Sequence, residues 1–307
     1  MTSTMTDLFD LQVNGYGGVD FNQDALTPDA LHAACERLAA DGVGGVLATF
    51  TTEALDRMVR RVTNLVAARA ADPLARRVIA GIHFEGPFIN AADGYRGAHP
   101  ADAVRPASVD DAARLLDAAA GLARLVTLAP ERDAGLAVTR YLAGQGIAVS
   151  AGHCDPTLEE LKAAIDAGLT VFTHVGNGCP PVLPRHDNIV QRALSLRDRL
   201  WLCFIADGVH VPFPALGNYL RAAGLERTVV VTDAVTPAGL GPGTYTHGRD
   251  TIRVEVGDAA RKLDGQLIGC AITLRQSAEN LVRHLGLSES DAHRLTVTNP
   301  RRAVGLG

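Results

Sequence analysis

Eight short apolar runs recur along the chain, and stretches with the apolar periodicity of helices separate them. Each run is rich in β-branched residues and nearly continuous in hydrophobicity, which is typical of parallel strands buried on both faces. The predicted strands are residues 8–13, 45–50, 78–84, 125–128, 147–151, 170–173, 200–205 and 229–232. The predicted helices between them are residues 27–40, 52–71, 108–120, 133–145, 157–167, 189–194 and 214–223.

This alternation predicts an α/β fold, a closed (β/α)8 TIM barrel, because eight consecutive strand–helix units close more naturally than they form an open doubly wound sheet. No dinucleotide-binding GxGxxG motif follows the first strand. Such a barrel needs about 250 residues. The 307 residues therefore predict a single domain over 1–307 with extra elements. These are a turn-rich hairpin segment at about 239–257, a loop at 265–285 leading into a closing helix, and short helices at 288–295 and 299–304.

Polar side chains cluster where the predicted strands end, which is the side of a (β/α)8 barrel that carries the active site. Taken singly, each has an ordinary structural explanation. A lone His after a strand is usually a hydrogen-bonded core residue, and an Asp before Ala also fits a helix cap. Their joint occurrence at six strand ends predicts one common site. The residues are Gln12, Asn14, His83, Glu85, His153, His174, His210 and Asp233.

Glu85, His153 and His174 form a suitable ligand set for Zn²⁺ or another divalent first-row metal, with a position left for water. Such a metal would acidify the water and polarise a substrate carbonyl. Asp233 is then the natural general base, which takes a proton from the water and passes it to a leaving amine. The predicted reaction class is hydrolysis of an amide or ester.

Composition and charge limit the binding partners and the cellular location that we expect. A formal net charge of −5 argues against nucleic acid, which requires clustered Lys and Arg. No run reaches the roughly 18 apolar residues that cross a bilayer, and residues 1–7 are polar, without the apolar core of a signal peptide. Five scattered cysteines without a CxxC pair indicate reduced thiols. We expect a cytoplasmic enzyme with no membrane partner.

Seven segments, in order along nearly the whole chain, resemble the N-acetylglucosamine-6-phosphate deacetylases of the amidohydrolase superfamily. They are DLQVNGYGG (10–18), GIHFEGPF (81–88), GAH (97–99), SAGH (150–153), TH (173–174), IADGVHV (205–211) and VTDA (231–234). The resemblance implies removal of acetate from an N-acetylamino sugar phosphate. It also implies one metal on Glu85, His153 and His174, with Zn²⁺ the expected ion and Fe²⁺, Mn²⁺ or Co²⁺ as alternatives.

The same resemblance assigns further roles. Gln12 stands in place of the superfamily's usual His-x-His pair, where it supports the metal or its water, and this replacement disfavours a second metal. Asp233 matches the catalytic Asp. The implied substrate contacts are His99, Asn177, Gly178, Arg185, His210 and Ile268.

The chain also departs from the family pattern. The first barrel strand begins at residue 8 and the chain stops soon after the last helix, so we expect a barrel-only variant without the family's β-sandwich domain. After His174 the sequence reads VGNGCPP in place of the family's usual stretch. Arg185 lies at the distance of the arginine that, in the family, reaches the phosphate in the partner subunit's site, and the resemblance implies a homodimer.

Two other functions remain open at this point. One is an amidohydrolase that acts on another small amide or cyclic amide with the same metal and Asp233. The other is a catalytically inactive sugar-phosphate-binding barrel, although a pure binding protein has no need of a base beside a metal.

Overall fold

A computed structural model describes residues 6–307, so most of the polar segment noted at residues 1–7 lies outside the described residues. The strands are β1 (Leu8–Val13), β2 (Gly15–Tyr16), β3 (Val19–Asp20), β4 (Val43–Thr51), β5 (Ile79–Glu85), β6 (Ala123–Leu128), β7 (Ala148–Ala151), β8 (Leu169–Phe172), β9 (Trp201–Ile205), β10 (Thr228–Val231), β11 (Gly243–His247), β12 (Asp250–Val254), β13 (Ala260–Lys262) and β14 (Leu267–Gly269).

The helices alternate with the longer strands. They are α1 (Pro28–Ala40), α2 (Leu55–Ala71), α3 (Pro73–Val78), α4 (Val109–Ala118), α5 (Ala137–Gly144), α6 (Leu158–Asp166), α7 (Ile189–Ser195), α8 (Phe213–Ala223), α9 (Leu274–Leu285), α10 (Glu289–His293) and α11 (Asn299–Ala303). No helix among the described residues is long and apolar enough to cross a membrane.

The eight predicted strands form one parallel sheet in the order β1-β4-β5-β6-β7-β8-β9-β10, which confirms the (β/α)8 barrel. The register brings functional strand ends level with one another: Ala151 on β7 pairs with Phe172 on β8, and His153 and His174 each follow two residues later. Between β1 and β10 the described residues form a single parallel bridge, Val13 to Ala234, in place of a ladder. The barrel therefore has a seam at this point.

Three local predictions were wrong. The helix predicted over 133–145 begins only at Ala137, after two short 3-10 turns, because Gly135 and Leu136 adopt left-handed backbone conformations. Residues 73–78 form the unpredicted helix α3, with Pro73 in its first turn and an Asp72 cap. The predicted loop at 265–285 instead holds β14 and the whole of α9.

The hairpin predicted at about 239–257 is half of a larger antiparallel sheet, β11-β12-β13-β14, which we call the small sheet. It joins the barrel mouth through contacts with loops from other strands. Gln266 donates to the carbonyl oxygen of Gly97 at 3.0 Å, and Arg249 donates to Glu53, a buried carboxylate after β4, at 3.0 Å. The small sheet therefore covers part of the end of the barrel where the strands terminate.

Two apolar layers hold the barrel together. The larger lies between the strands and the surrounding helices, where side chains such as Phe50, Phe84 and Leu142 are fully buried. The smaller fills the barrel interior from Phe9 and Leu11 to the closing residues near Val304. Because the interior is filled by side chains, the open space for chemistry is confined to the mouth.

Candidate active site

Three of the predicted site residues adopt a left-handed backbone conformation directly after their strands. The φ angles are 52° at His153, 29° at His174 and 55° at Asp233. Non-glycine residues rarely adopt positive φ, and such strain concentrates at functional sites. At these positions the strand ends abruptly, and the side chain that follows is presented to the barrel mouth.

Glu85, His153 and His174 converge on a single point. Glu85 Oε1 lies 2.9 Å from His174 Nε2 and 3.3 Å from His153 Nε2, and the two imidazole nitrogens are 3.1 Å apart. All three side chains are almost fully buried. Ligands of a tetrahedral Zn²⁺ site, at bond lengths of about 2.0–2.2 Å, lie roughly 3.3 Å or slightly more from one another.

The hydrogen-bonding pattern fits a metal ion. The Nδ1 atom of His153 lies 2.8 Å from the carbonyl oxygen of Tyr95, an acceptor that requires a proton on Nδ1. A histidine that binds a metal does so in its neutral form, and with the proton on Nδ1 the lone pair of His153 Nε2 points at the carboxylate oxygen of Glu85. Facing acceptors repel each other, whereas a divalent cation between them binds both.

His99 completes this cluster as a fourth group. Its Nε2 lies 3.2 Å from His153 Nε2, and the ligand atoms of Glu85, His99 and His153 all lie within 4.8 Å of one another. Its Nδ1 is 2.8 Å from the hydroxyl of Thr52. His174 rather than His99 remains the predicted third metal ligand, because His174 Nε2 is in direct contact with Glu85.

Burial and neighbouring charges set the ionisation of this cluster. Burial raises the pKa of Glu85, but the hydrogen bonds and positive charge that His153 and His174 supply in their protonated forms outweigh it, so the pKa falls well below its usual range. Burial, with His153 as a second cause, lowers the pKa of His99 to about 3. Glu85 is therefore an anion and His99 a neutral imidazole at neutral pH, the forms suited to binding a cation and a polar substrate.

Asp233 lies beside the triad and is linked to it through an amide. Gln12 Nε2 donates to Glu85 Oε1 at 2.9 Å and to Asp233 Oδ1 at 3.0 Å, and Asn14 Nδ2 donates to the same Asp233 oxygen at 2.7 Å. Burial and the negative charge of Glu85 raise the pKa of Asp233 well above its usual value. A divalent cation bound at Glu85 would add the opposite charge and lower that pKa again.

A cavity of about 880 Å³ opens above these groups and is lined by most of the remaining predicted residues. Asn177, Gly178, His210 and Ile268 all line it, and the Nδ2 atom of Asn177 is buried without a partner among the described residues. Arg185 is not among the residues that line the cavity, and its side chain is exposed on the loop before α7. The structure therefore assembles every predicted site residue except Arg185 and His83, whose ring is buried against Thr127 and does not line the cavity.

The chain is similar to known proteins over nearly its whole length. No family model matches the chain. It is 30% identical to the N-acetylgalactosamine-6-phosphate deacetylase of Escherichia coli O157:H7 over 297 residues. This alignment covers 97% of this chain and 77% of that protein. It is 32% identical over 308 residues to the N-acetylglucosamine-6-phosphate deacetylase of Bos taurus, covering 97% and 73%. The chain belongs to the N-acetylglucosamine-6-phosphate deacetylase family.

Solved structures of the deacetylase family agree with this assignment. One from Mycobacterium smegmatis, an aspartate-to-alanine mutant in complex with N-acetyl-D-glucosamine-6-phosphate, matches with a TM-score of 0.87 and 32% identity over 98% of this chain and 78% of that one. One from Thermotoga maritima matches with a TM-score of 0.85 and 28% identity over 98% and 79%. The family predicted from the sequence motifs is thus confirmed.

Within this deacetylase fold, His210 is held by a residue that the sequence analysis did not single out. The Nδ1 atom of His210 lies 2.6 Å from Asp207 Oδ2, and Asp207 Oδ1 accepts the backbone N–H groups of Val209 and His210. Burial raises the pKa of Asp207, but the hydrogen bond and charge of His210 outweigh it and lower the pKa. The Asp-x-x-His spacing was a signal available in the sequence.

His247 is a second residue that the sequence analysis missed. It ends β11, lines the cavity and is buried, with Nδ1 held 2.9 Å from Thr236 Oγ1. Burial lowers its pKa, so the ring is neutral. No strand-end rule predicts this residue, because it belongs to the small sheet and reaches the mouth only through tertiary packing.

Two glycines allow loops to pack against the imidazoles of the predicted metal ligands His153 and His174. A Cβ atom at Gly178, which has a φ of +61°, would lie 3.0 Å from His153 Nδ1 and 3.1 Å from His174 Cε1. A Cβ atom at Gly97 would lie 3.1 Å from His153 Cε1. The two loops therefore hold the ring of His153 in place through contacts that only glycine permits.

Proposed function

We propose that this chain hydrolyses the acetamide of an N-acetylamino sugar 6-phosphate and releases acetate. The observation that carries the proposal is the convergence of Glu85, His153 and His174 on one point with Asp233 linked to it by Gln12. The relatives named above include deacetylases of both N-acetylglucosamine 6-phosphate and N-acetylgalactosamine 6-phosphate. The sugar epimer is therefore an outcome of the test.

Glu85, His153 and His174 would hold a divalent metal, for which Zn²⁺ is the proposed ion. When bound, it would polarise the acetamide carbonyl and acidify the attacking water. The neutral His99 sits at hydrogen-bond distance from His153 and suits a contact with the acyl group of the substrate. His210, Asn177, Gly178 and Ile268 would bind the sugar from the walls of the cavity.

Asp233 performs the proton transfers in the proposed reaction. It accepts a proton from water as the water oxygen bonds to the acetyl carbon, and it delivers that proton to the sugar nitrogen as the C–N bond breaks. Acetate and the free amino sugar phosphate are the products. The amides of Gln12 and Asn14 donate to one oxygen of Asp233 and so orient the carboxylate for both transfers.

Arg185 has a different place in the proposal. Because it is exposed and does not line the cavity of its own chain, we propose that it binds the phosphate in the partner subunit of a homodimer. Mixing Asp233→Asn and Arg185→Ala subunits under exchange conditions tests this arrangement. Mixed dimers should regain activity that neither variant shows alone, and no regain would contradict the shared site.

The main experiment measures acetate release by the full chain after chelator treatment and reloading with Zn²⁺, Fe²⁺, Mn²⁺ or Co²⁺. N-acetylglucosamine 6-phosphate and N-acetylgalactosamine 6-phosphate are the substrates, and unphosphorylated N-acetylglucosamine is the control. We expect metal-dependent release that is much faster with a phosphorylated sugar. Lack of turnover by every reloaded form on both sugar phosphates would refute the function.

Asp233→Asn separates the base from the metal ligands. It should abolish turnover while metal content, measured by mass spectrometry, stays at the wild-type level, because Asp233 is held by amides rather than placed in the triad. Loss of bound metal in this variant would instead make Asp233 a ligand and contradict its assigned role.

A further inference from the structure

The seam between β1 and β10 is joined by a buried side chain. Among residues 6–307 these two strands share only the Val13 to Ala234 bridge, although the seven other neighbouring pairs in the ring form parallel ladders. Asp10, on β1, is 2% exposed and lies at this seam. Its carboxylate takes the place of the missing ladder as an acceptor for backbone groups.

Asp10 receives hydrogen bonds from both sides of the seam. On its own strand, Oδ1 accepts the N–H of Gln12 at 3.1 Å. Across the seam, both carboxylate oxygens accept the N–H of Thr232 at 3.2 Å, and Oδ2 accepts the hydroxyl of Thr232 at 2.6 Å. One carboxylate thus fixes the backbone of Gln12 and of the residue immediately before Asp233.

The hydroxyl of Thr232 extends this contact past Asp233. Because its proton is donated to Asp10, its oxygen is free to accept the N–H of Ala234, which lies 3.0 Å away. The Thr232 hydroxyl therefore closes a turn around Asp233, which has a φ of 55°. Left-handed backbone at a non-glycine residue persists only where the surroundings hold it.

We propose that Asp10 and Thr232 are a positioning pair that holds Asp233 in its left-handed conformation and so sets the orientation of the general base. Neither side chain lines the cavity, so both act through Asp233 and not on the substrate. This inference rests on the proposed function for its kinetic readout. The same pair also anchors Gln12, which links Asp233 to Glu85.

The test compares two variants of Thr232 in the full metal-loaded chain. Thr232→Val keeps the shape and removes the hydroxyl, whereas Thr232→Ser keeps the hydroxyl. We expect Thr232→Val to lower kcat by about tenfold to a hundredfold, because misplacing a catalytic group by about 1 Å has effects of that size. Metal content should stay unchanged, and Thr232→Ser should restore most of the kcat.

Thr139 offers a matched control, since its hydroxyl donates to Asp133 at 2.8 Å in a buried pair at the start of α5, and neither residue lines the cavity. Thr139→Val should lower the melting temperature by about as much as Thr232→Val does, but it should leave kcat unchanged. A fall in kcat equal to that of Thr232→Val would mean that general destabilisation explains both, and would overturn the proposal.

A second readout does not depend on turnover. Amide hydrogen exchange at Ala234 should accelerate in Thr232→Val and not in Thr232→Ser, because only the former removes its acceptor. Unchanged exchange, or equal loss of kcat in both Thr232 variants, would overturn the inference. If the unmodified chain deacetylates neither sugar phosphate, the proposed function fails, while the exchange result still decides the positioning role.

Discussion

Replacing Gly178 with Ala should weaken metal binding although none of the proposed metal ligands is replaced. The added methyl group would lie 3.0 Å from His153 Nδ1 and 3.1 Å from both His153 Cε1 and His174 Cε1. Ordinary contacts between non-bonded heavy atoms lie at about 3.5–4.0 Å, so the two rings must retreat by roughly half an ångström. Metal sites tolerate deviations of only about 0.2 Å. We expect metal affinity to fall by about tenfold to a hundredfold, as for other changes that disturb ligand orientation.

Backbone strain must be separated from this contact, because Gly178 has a φ of +61°. Left-handed backbone at alanine costs about 1–2 kcal/mol on its own. Gly146 is the matched control, since its φ is +74° and nothing lies within 4 Å of the Cβ position. Gly146→Ala should lose thermal stability and keep its metal affinity. Competition with a chelator measures both affinities, and equal affinities in the two variants would refute the reasoning.

Two further predictions concern the layer beneath the site and the attachment of the small sheet. Thr127→Val should lower the free energy of unfolding by about 2 kcal/mol in urea titration, because His83 Nε2 and Thr173 Oγ1, each 2.8 Å from Thr127, lose a buried partner; an unchanged midpoint would contradict this. Burial raises the pKa of Glu53, but hydrogen bonds from Arg249 and others lower it to about 2. Its charged form therefore adds stability above pH 4.5 that is lost as the pH falls towards 2, so the melting-temperature gap between wild type and Glu53→Gln should narrow over that range. A constant gap would show that the charge of Glu53 does not matter.

Hydrophobic pattern alone was sufficient to predict the barrel. A parallel strand buried on both faces needs a short continuous apolar run, and all eight such runs are barrel strands. The active-site end followed from the same pattern, because the carboxyl ends of parallel strands meet at one mouth. Glu85, His153 and His174 were therefore predictable as neighbours before any distance was known.

The sequence did not predict how the mouth is completed. The small sheet reaches the site through contacts such as Arg249 with Glu53, between residues 196 positions apart, and no local pattern encodes such a pairing. His247 enters the cavity by this route. Arg185 is the opposite case. Its spacing suggested a phosphate contact, but the fold leaves it exposed on a loop that does not line the cavity of its own chain.

The seam between β1 and β10 separates most clearly what the sequence determined from what only the tertiary structure decided. Strand periodicity determined that β1 and β10 are the first and last strands of a ring, and that Gln12 and Asp233 end them. Only the tertiary structure decided that Asp10 joins those strands, that Gln12 links Glu85 to Asp233, and that Thr232 closes the turn around Asp233. The physical reason is the separation along the chain of the residues involved. Burial periodicity is a property of neighbouring residues, whereas hydrogen bonds across more than 220 positions depend on register and twist that emerge only when the barrel closes.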